Sequence, residues 1–215
     1  MTGGEPSGAP RAQARTRLAR AAVVDAARGL FLERGYGATT VEAISEAADV
    51  PAATVYRLFS SKHGILKALL DVSIVGDDED VPMAQRPHVR AMLGAPDPRV
   101  QLAGFVTISA DVNTRVAPVY RILVGAAASD ADAAALLDAL TTQRQQGQRL
   151  IARSLARAGA LRSGLRERDA ADIIHALLSP ELYRLLVVDR GWKAPRYQDW
   201  LTGMLVDQLL PTPPA

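Results

Sequence analysis

The sequence has no cysteine among its 215 residues. That absence removes disulfide scaffolds, thiol nucleophiles and thiolate metal sites together, and it fits an intracellular protein. No apolar run approaches the roughly 20 residues that span a bilayer. The start, "MTGGEPSGAPRAQAR", has no apolar signal core, so we expect no export and a cytoplasmic location. The signatures of catalysis are missing as well. There is no Gly-x-x-x-x-Gly-Lys loop, no Gly-x-Ser-x-Gly elbow, no His clustered with carboxylates and no His-x-x-x-His spacing. We therefore expect neither an enzyme nor a metal or cofactor site.

What is present is ordinary globular composition, 48% hydrophobic and 22% charged. A chain of this length can bury a sizeable core as one large domain or two smaller ones. The net charge of +2 is unevenly spread. Up to Lys62 there are 8 Lys and Arg against 6 Asp and Glu, whereas the remainder carries 17 of each. Arg11, Arg15, Arg17 and Arg20 face only Glu5. Residues 1–14 are rich in Gly, Pro, Ala and Arg without periodicity, and we expect a disordered basic arm able to lie along phosphates.

Helical spacing dominates the rest. Leu18, Val23, Ala26, Ala27, Leu30 and Phe31 predict a helix over 16–34, stopped by Gly35. A second begins near Thr39 or Thr40. Either hydroxyl can cap it, and Thr39 with Glu42 has the capping-box spacing. Asp49-Val50-Pro51 closes it and Pro51 opens a third, 52–59, with Val55 and Phe59 inward. Ser60 or Ser61 caps a fourth, whose apolar side includes Ile65, Leu66, Leu69 and Leu70. The acidic run at 76–80 and the segment after it suggest a connection between two units. Further helices are predicted near 98–114, 117–127, 130–159, 167–189 and 195–210, with Pro180 kinking or restarting the fourth of these. No segment alternates long enough for a strand. The fold is expected to be all-α.

Residues 39–59 describe two short helices joined by a tight turn behind a longer apolar helix, the helix-turn-helix arrangement. Its second helix must protrude, so only one side can be buried. Val55 and Phe59 serve that side, leaving Pro51, Ala52, Ala53, Thr54, Tyr56 and Arg57 on or near the outer one. Small residues at its start let the backbone sit deep in a major groove, with free N–H groups aimed at a phosphate.

The stretch "VVDAARGLFLERGYGATTVEAISEAADVPAATVYRLFSSKHGIL" resembles the DNA-binding domain of the tetracycline-repressor (TetR) family of transcription regulators. Ala27, Leu30-Phe31, Gly35-Tyr36, Thr40-Val41, Ile44, Ala47-Ala48, Val50, Thr54, Tyr56, Phe59 and Lys62 match in order, without gaps. The resemblance implies a three-helix DNA-binding domain, 15–61, followed by a larger helical ligand-binding and dimerisation domain, 62–210, with a tail at 211–215. It implies a homodimer on double-stranded operator DNA, usually repressing, that is released by a small-molecule effector. Thr40, Tyr56 and Lys62 fall where the family contacts phosphates, and Pro51, Ala53, Thr54 and Arg57 on its recognition-helix face. Four positions depart from the pattern. Asp49 stands where glycine is commonest, Pro51 replaces a frequent Ser or Thr, and Ala52 and Ala53 offer bases no hydrogen bond. Base readout then leans on Arg57, Thr54 and the arm, or on DNA shape.

In the second half, Ile174, Leu178, Leu182 and Leu185, then Trp200, Leu201 and Leu205, lie on two terminal helices that resemble the family's dimerisation pair. The same stripe would equally serve an intramolecular core. For the ligand site we expect Phe105, Ile108, Val112, Tyr120, Leu137 and Gln143, which would admit an apolar molecule with a few polar handles. His175 reads as a core histidine with its bonds satisfied. The rival to a ligand-released regulator is a helical protein-interaction module that kept the fold and lost operator binding.

Overall fold

The computed structural model describes residues 9–76 and 85–212, and every regular element among them is helical. The acidic run at 77–80, the first eight residues and most of the tail lie outside the described residues. Among those described, no helix is long and apolar enough to cross a membrane.

Helix α1, Ala9–Ala38, begins earlier than its apolar pattern predicts, because Ala, Gln and Arg are strong helix formers even without a buried face. Residues 9–14, expected to be disordered, are therefore helical, and Arg15 and Arg17 sit exposed on a regular helix. Gly35 is the break inside this span: its φ of 80° and ψ of 162° suit a residue without Cβ. Thr39 lies just beyond the break and is buried; its hydroxyl donates to the Gly35 carbonyl at 2.8 Å. It is thus no cap. Thr40 caps α2, Val41–Ala47, by accepting the Ala43 N–H at 3.1 Å.

Asp49 takes the left-handed conformation at φ 51° and turns the chain into α3, Ala52–Phe59. The turn is tied by the Ser45 hydroxyl, which donates to the Val50 carbonyl at 2.6 Å. Ser61 then caps α4, Lys62–Val75, accepting the Gly64 N–H at 3.1 Å. Phe31, Ile44, Val55, Ile65, Leu66 and Leu69 are almost completely buried together. Each such side chain stabilises the unit by about 1.5–3 kcal/mol.

Where a plain connection was expected, α5 forms at Pro87–Leu93, opened by its own proline and buried through Val89 and Met92. Next, α6 runs unbroken over Pro98–Ala127 although two helices were predicted, split at Pro118. Proline in a helix interior costs about 3 kcal/mol. Here Val116, Ala117 and Val119 are buried around it, and that packing holds the helix through the lost hydrogen bond. The C-terminal turns of α6 join the first core through Val119, Leu123 and Ala126. Its earlier turns join a second core, with Leu102 and Val106 against Ile151, Leu155, Ile174, Tyr197, Leu201 and Leu205.

The remaining helices are α7 at Ala131–Arg157, α8 at Glu167–Leu177, α9 at Pro180–Tyr183 with a π-helical continuation over Arg184–Asp189, and α10 at Ala194–Leu209. Pro180 restarts the chain rather than kinking it. It occupies the first helical position behind Ser179, whose hydroxyl accepts the Leu182 N–H at 3.1 Å.

Candidate nucleic-acid interface

Helix α3 buries Val55 and Phe59 and turns the rest outward. Pro51, Ala53, Tyr56 and Arg57 are exposed, and Ala52 and Thr54 are half-buried. Pro51 supplies no side-chain cap; its carbonyl accepts the amides of both Thr54 and Val55. The N–H groups of Ala52 and Ala53 lie in the first turn, where a helix has no internal acceptor for them. A narrow, apolar and donor-bearing nose results, suited to a phosphate or a groove floor. Arg20 of α1 braces the other end of α3. Its guanidinium donates to the Leu58 carbonyl at 3.0 Å and lies 4.6 Å from the centre of the Phe59 ring.

The polar residues around α3 divide by what they already touch. Thr40 spends an oxygen lone pair on its cap and keeps its O–H free to donate. The Tyr56 hydroxyl donates to Glu42 Oε1 at 3.2 Å, and the Glu42 charge first, then desolvation and the bond itself, holds this phenol above its ordinary pKa. Lys62 is half-buried and turned inward. Its Nζ donates to the carbonyls of Tyr36 at 2.8 Å and Thr39 at 2.9 Å, and stands 4.3 Å from the Tyr36 ring centre. Two of its three donors thus close the Gly35 turn. Burial, with Asp130 and Asp132 nearby, pushes the Tyr36 phenol up to about 12. Arg57 is the cation of this helix that faces solvent.

Glu42 is the member that sequence reasoning missed as part of this face, because its spacing from Thr39 made it look like a capping partner. An acidic group beside phosphate-seeking side chains opposes DNA. Glu42→Gln is expected to raise affinity for any DNA about two- to fivefold at low salt, with the gain shrinking as salt screens it. Fluorescence anisotropy on labelled duplexes at two salt concentrations checks this; unchanged affinity at both would remove Glu42 from the interface.

Behind the interface, α4 passes from Lys62 to Ile74, which lines a cavity of about 190 Å³ between α6, α7 and the α8–α9 break. Phe105, Ile108, Val112 and Gln143 line it as well. Tyr120 and Leu137 do not. Tyr120 donates to a Glu181 carboxylate oxygen at 2.6 Å, and burial followed by that bond pushes its phenol up to about 12; Leu137 packs on the first core. A more open cleft of about 550 Å³ shares Ile108 and Val112. Missed by the sequence reading were Ile74, Asn113, Arg144 and Gln148. Extending the α4 stripe from Leu70 by one turn would have found Ile74. The polar run holding Arg144 and Gln148 carries no such signal.

Of the residues expected at a dimer contact, Ile174, Leu178, Leu201 and Leu205 are buried inside this chain's own second core. Leu182 and Trp200 are half-buried and Leu185 is exposed. Trp200 meets Trp192 edge to face, with ring centroids 5.6 Å apart.

Residues 23–69 match the family model of bacterial regulatory proteins of the tetR family. The HTH-type transcriptional regulator YvkB of Bacillus subtilis (strain 168) is 46% identical over 48 residues, 22% of this chain and 25% of YvkB. YdeS, an HTH-type transcriptional regulator of the same organism, is 31% identical over 167 residues, 77% of each chain. Among solved structures, SmeT, the repressor of the Stenotrophomonas maltophilia multidrug efflux pump SmeDEF, superposes with a TM-score of 0.63 at 17% identity, covering 90% of this chain and 91% of SmeT. Its complex with triclosan superposes with the same score at 20% identity, covering 91% of this chain and 93% of that one. With a helix-turn-helix whose second helix projects as described, and a relative of this identity along most of both chains, the protein belongs to the tetR family and is a helix-turn-helix DNA-binding transcriptional regulator.

Proposed function

We propose that the protein is a repressor that holds operator DNA as a homodimer and is released when a small molecule enters the cavity beside α4. The observation that carries this is the span of α4. At one end Lys62 closes the Gly35 turn in front of the recognition helix; at the other Ile74 forms part of the cavity wall. A helix of 14 residues is about 21 Å long and moves as a unit, so a ligand that displaces Ile74 also shifts the support of α3. The triclosan-bound SmeT structure supports a ligand in this fold.

In this reading Arg57 and Thr54 read bases, while Thr40, Tyr56, the amides of Ala52 and Ala53, and Arg15 and Arg17 meet phosphates. Residues 15–61 act as the DNA-binding unit and 62–210 as the ligand-binding and dimerisation unit. A second copy would be met through Leu182, Leu185 and Trp200, whose side chains remain accessible. Two recognition helices about 34 Å apart then reach successive major grooves.

Footprinting on the DNA flanking the gene, with and without a panel of small molecules, tests the whole. A protected inverted repeat that loses protection with one compound is the expected outcome; no protection at low salt would defeat the proposal. Arg57→Ala separates readout from backbone contact. We expect a loss of about 1–3 kcal/mol confined to sequences carrying one particular base pair. An equal loss on every duplex, with a salt slope flatter by about 1, would assign Arg57 to a phosphate.

A further inference from the structure

One end of the cavity is polar, and the break between α8 and α9 makes it so. In a continuous helix the Leu182 N–H would bond the Leu178 carbonyl four residues back. Ser179 takes that N–H instead, at 3.1 Å. The Leu178 carbonyl is left to side chains: Asn113 Nδ2 donates to it at 3.3 Å and Arg144 Nη2 at 3.5 Å. The Arg144 bond is at the outer limit of a hydrogen bond. Among the described residues no carboxylate lies within ion-pair distance of this guanidinium. Glu181 raises its pKa through space, but that carboxylate accepts the Tyr120 hydroxyl; burial is the larger effect and lowers the Arg144 pKa. Arginine stays charged even so.

A second donor adjoins it. Gln148 is buried and lines the same cavity; its Oε1 is engaged by His175 Nδ1 at 2.7 Å, which leaves Nε2 free to donate. Burial first, and the Arg144 charge next, lower the His175 pKa. The polar end is therefore rich in donors, with the Arg144 charge inside it and the Glu181 and Asp172 carboxylates acting on it from further off, while Phe105, Ile108, Val112 and Leu140 make the other walls apolar. A half-buried guanidinium whose neighbouring carboxylate, Glu181, stays beyond ion-pair distance is stabilised further when an anion joins it directly.

We propose that the cavity takes a small carboxylate with an apolar ring or branched body, the carboxylate replacing the Leu178 carbonyl as the partner of Arg144 and accepting from Gln148. This rests on reading the cavity as the effector site. The size agrees with the chemistry. An apolar cavity of about 150 Å³ holds benzene, and the space here is about 190 Å³, so a benzoate-sized molecule fits.

The test is calorimetric titration of the full chain, without DNA, with benzoate, phenylacetate, benzamide and benzylamine, followed by the same compounds on the operator complex. We expect both carboxylates to bind about tenfold or more tightly than benzamide, and benzylamine more weakly still. Arg144→Gln should reduce the carboxylates to the level of benzamide, and Arg144→Lys, which keeps the charge, should restore part of the difference. Circular dichroism establishes that each variant is folded. Equal affinity for amide and carboxylate, a preference that survives Arg144→Gln, or no binding of either carboxylate at about 10 mM would overturn the inference. A neutral compound that releases the operator while the carboxylates fail to bind would also overturn it, with the effector reading intact. Carboxylates that bind through Arg144 yet leave the operator complex unchanged would uphold the inference and reject the effector reading.

Discussion

Gly64→Ala is expected to destabilise the protein by about 3 kcal/mol or more, although the same change in most helix interiors gains up to about 1 kcal/mol. The sign reverses because of where Gly64 sits. It lies in the first turn of α4 directly over the end of α3, and a Cβ there would fall deep inside the Phe59 carbonyl oxygen and 3.0 Å from its carbonyl carbon. Both obstacles are backbone, so no rotamer change relieves them. Phe59 cannot retreat easily either: its ring is buried in the first core and Arg20 covers it. Ser60, already held at φ 65°, would have to absorb the shift. The relief available is to open the α3–α4 turn, which tilts the recognition helix. Urea denaturation should show a lower midpoint at unchanged slope, and anisotropy should show DNA binding lost beyond what the unfolded fraction explains. A variant of native stability would mean that the two helices do not approach this closely.

The second large effect concerns Lys62. Lys62→Met keeps the length of the stem and removes the charge, so two charge-assisted bonds to the Tyr36 and Thr39 carbonyls and the contact with the Tyr36 ring disappear together. Hydrogen bonds to charged groups contribute about 1.5–3 kcal/mol each, net of the bonds to water that they replace. Water can reach this half-buried site, and we expect a net loss near 2–3 kcal/mol. The decisive comparison is thermal or urea unfolding of the DNA-free protein. A lysine engaged only with phosphate would leave that curve unmoved and flatten the salt slope of binding by about 1. A lysine that closes the Gly35 turn lowers stability without DNA and weakens binding through misplacement of α3. An unmoved unfolding curve would return Lys62 to the phosphates.

Why the recognition helix was so legible is a matter of punctuation. Pro51 can start a helix but not continue one, and the Ser60-Ser61 pair stops it, so both bounds of α3 stand in the sequence. Threonine 39 against Thr40 was not decidable in that way. Both carry the same hydroxyl, and the choice was made by the Gly35 turn, which brings Thr39 back to the carbonyls of α1. Pro118 misled for a related reason: its cost is local, while the packing that overrides it comes from residues far along the chain. Apolar stripes carry a deeper ambiguity. Periodicity says that Ile174, Leu178, Leu201 and Leu205 are buried but not against which chain, and they proved to be intramolecular core. The cavity was half visible. Phe105, Ile108 and Val112 share one face of α6 and meet there, whereas Tyr120, two turns further on, has passed beyond the cavity's end. Arg144 became apparent only once the break at Leu178 was known.

The unbroken α6 sets a rule for anyone who would build hybrid regulators from this chain. Exchanging everything after Val75 for another sensing unit would remove Val119, Leu123 and Ala126, which fill the floor beneath α1 and α4. The transplanted piece must bring residues of matching volume at those places and at Ala133 and Leu140 of α7, because large-to-small losses of this kind cost about 2–5 kcal/mol apiece for the longer side chains. A cut in the linker, where an engineer would first make it, therefore divides no two independent units, because α6 and α7 both return to complete the first core.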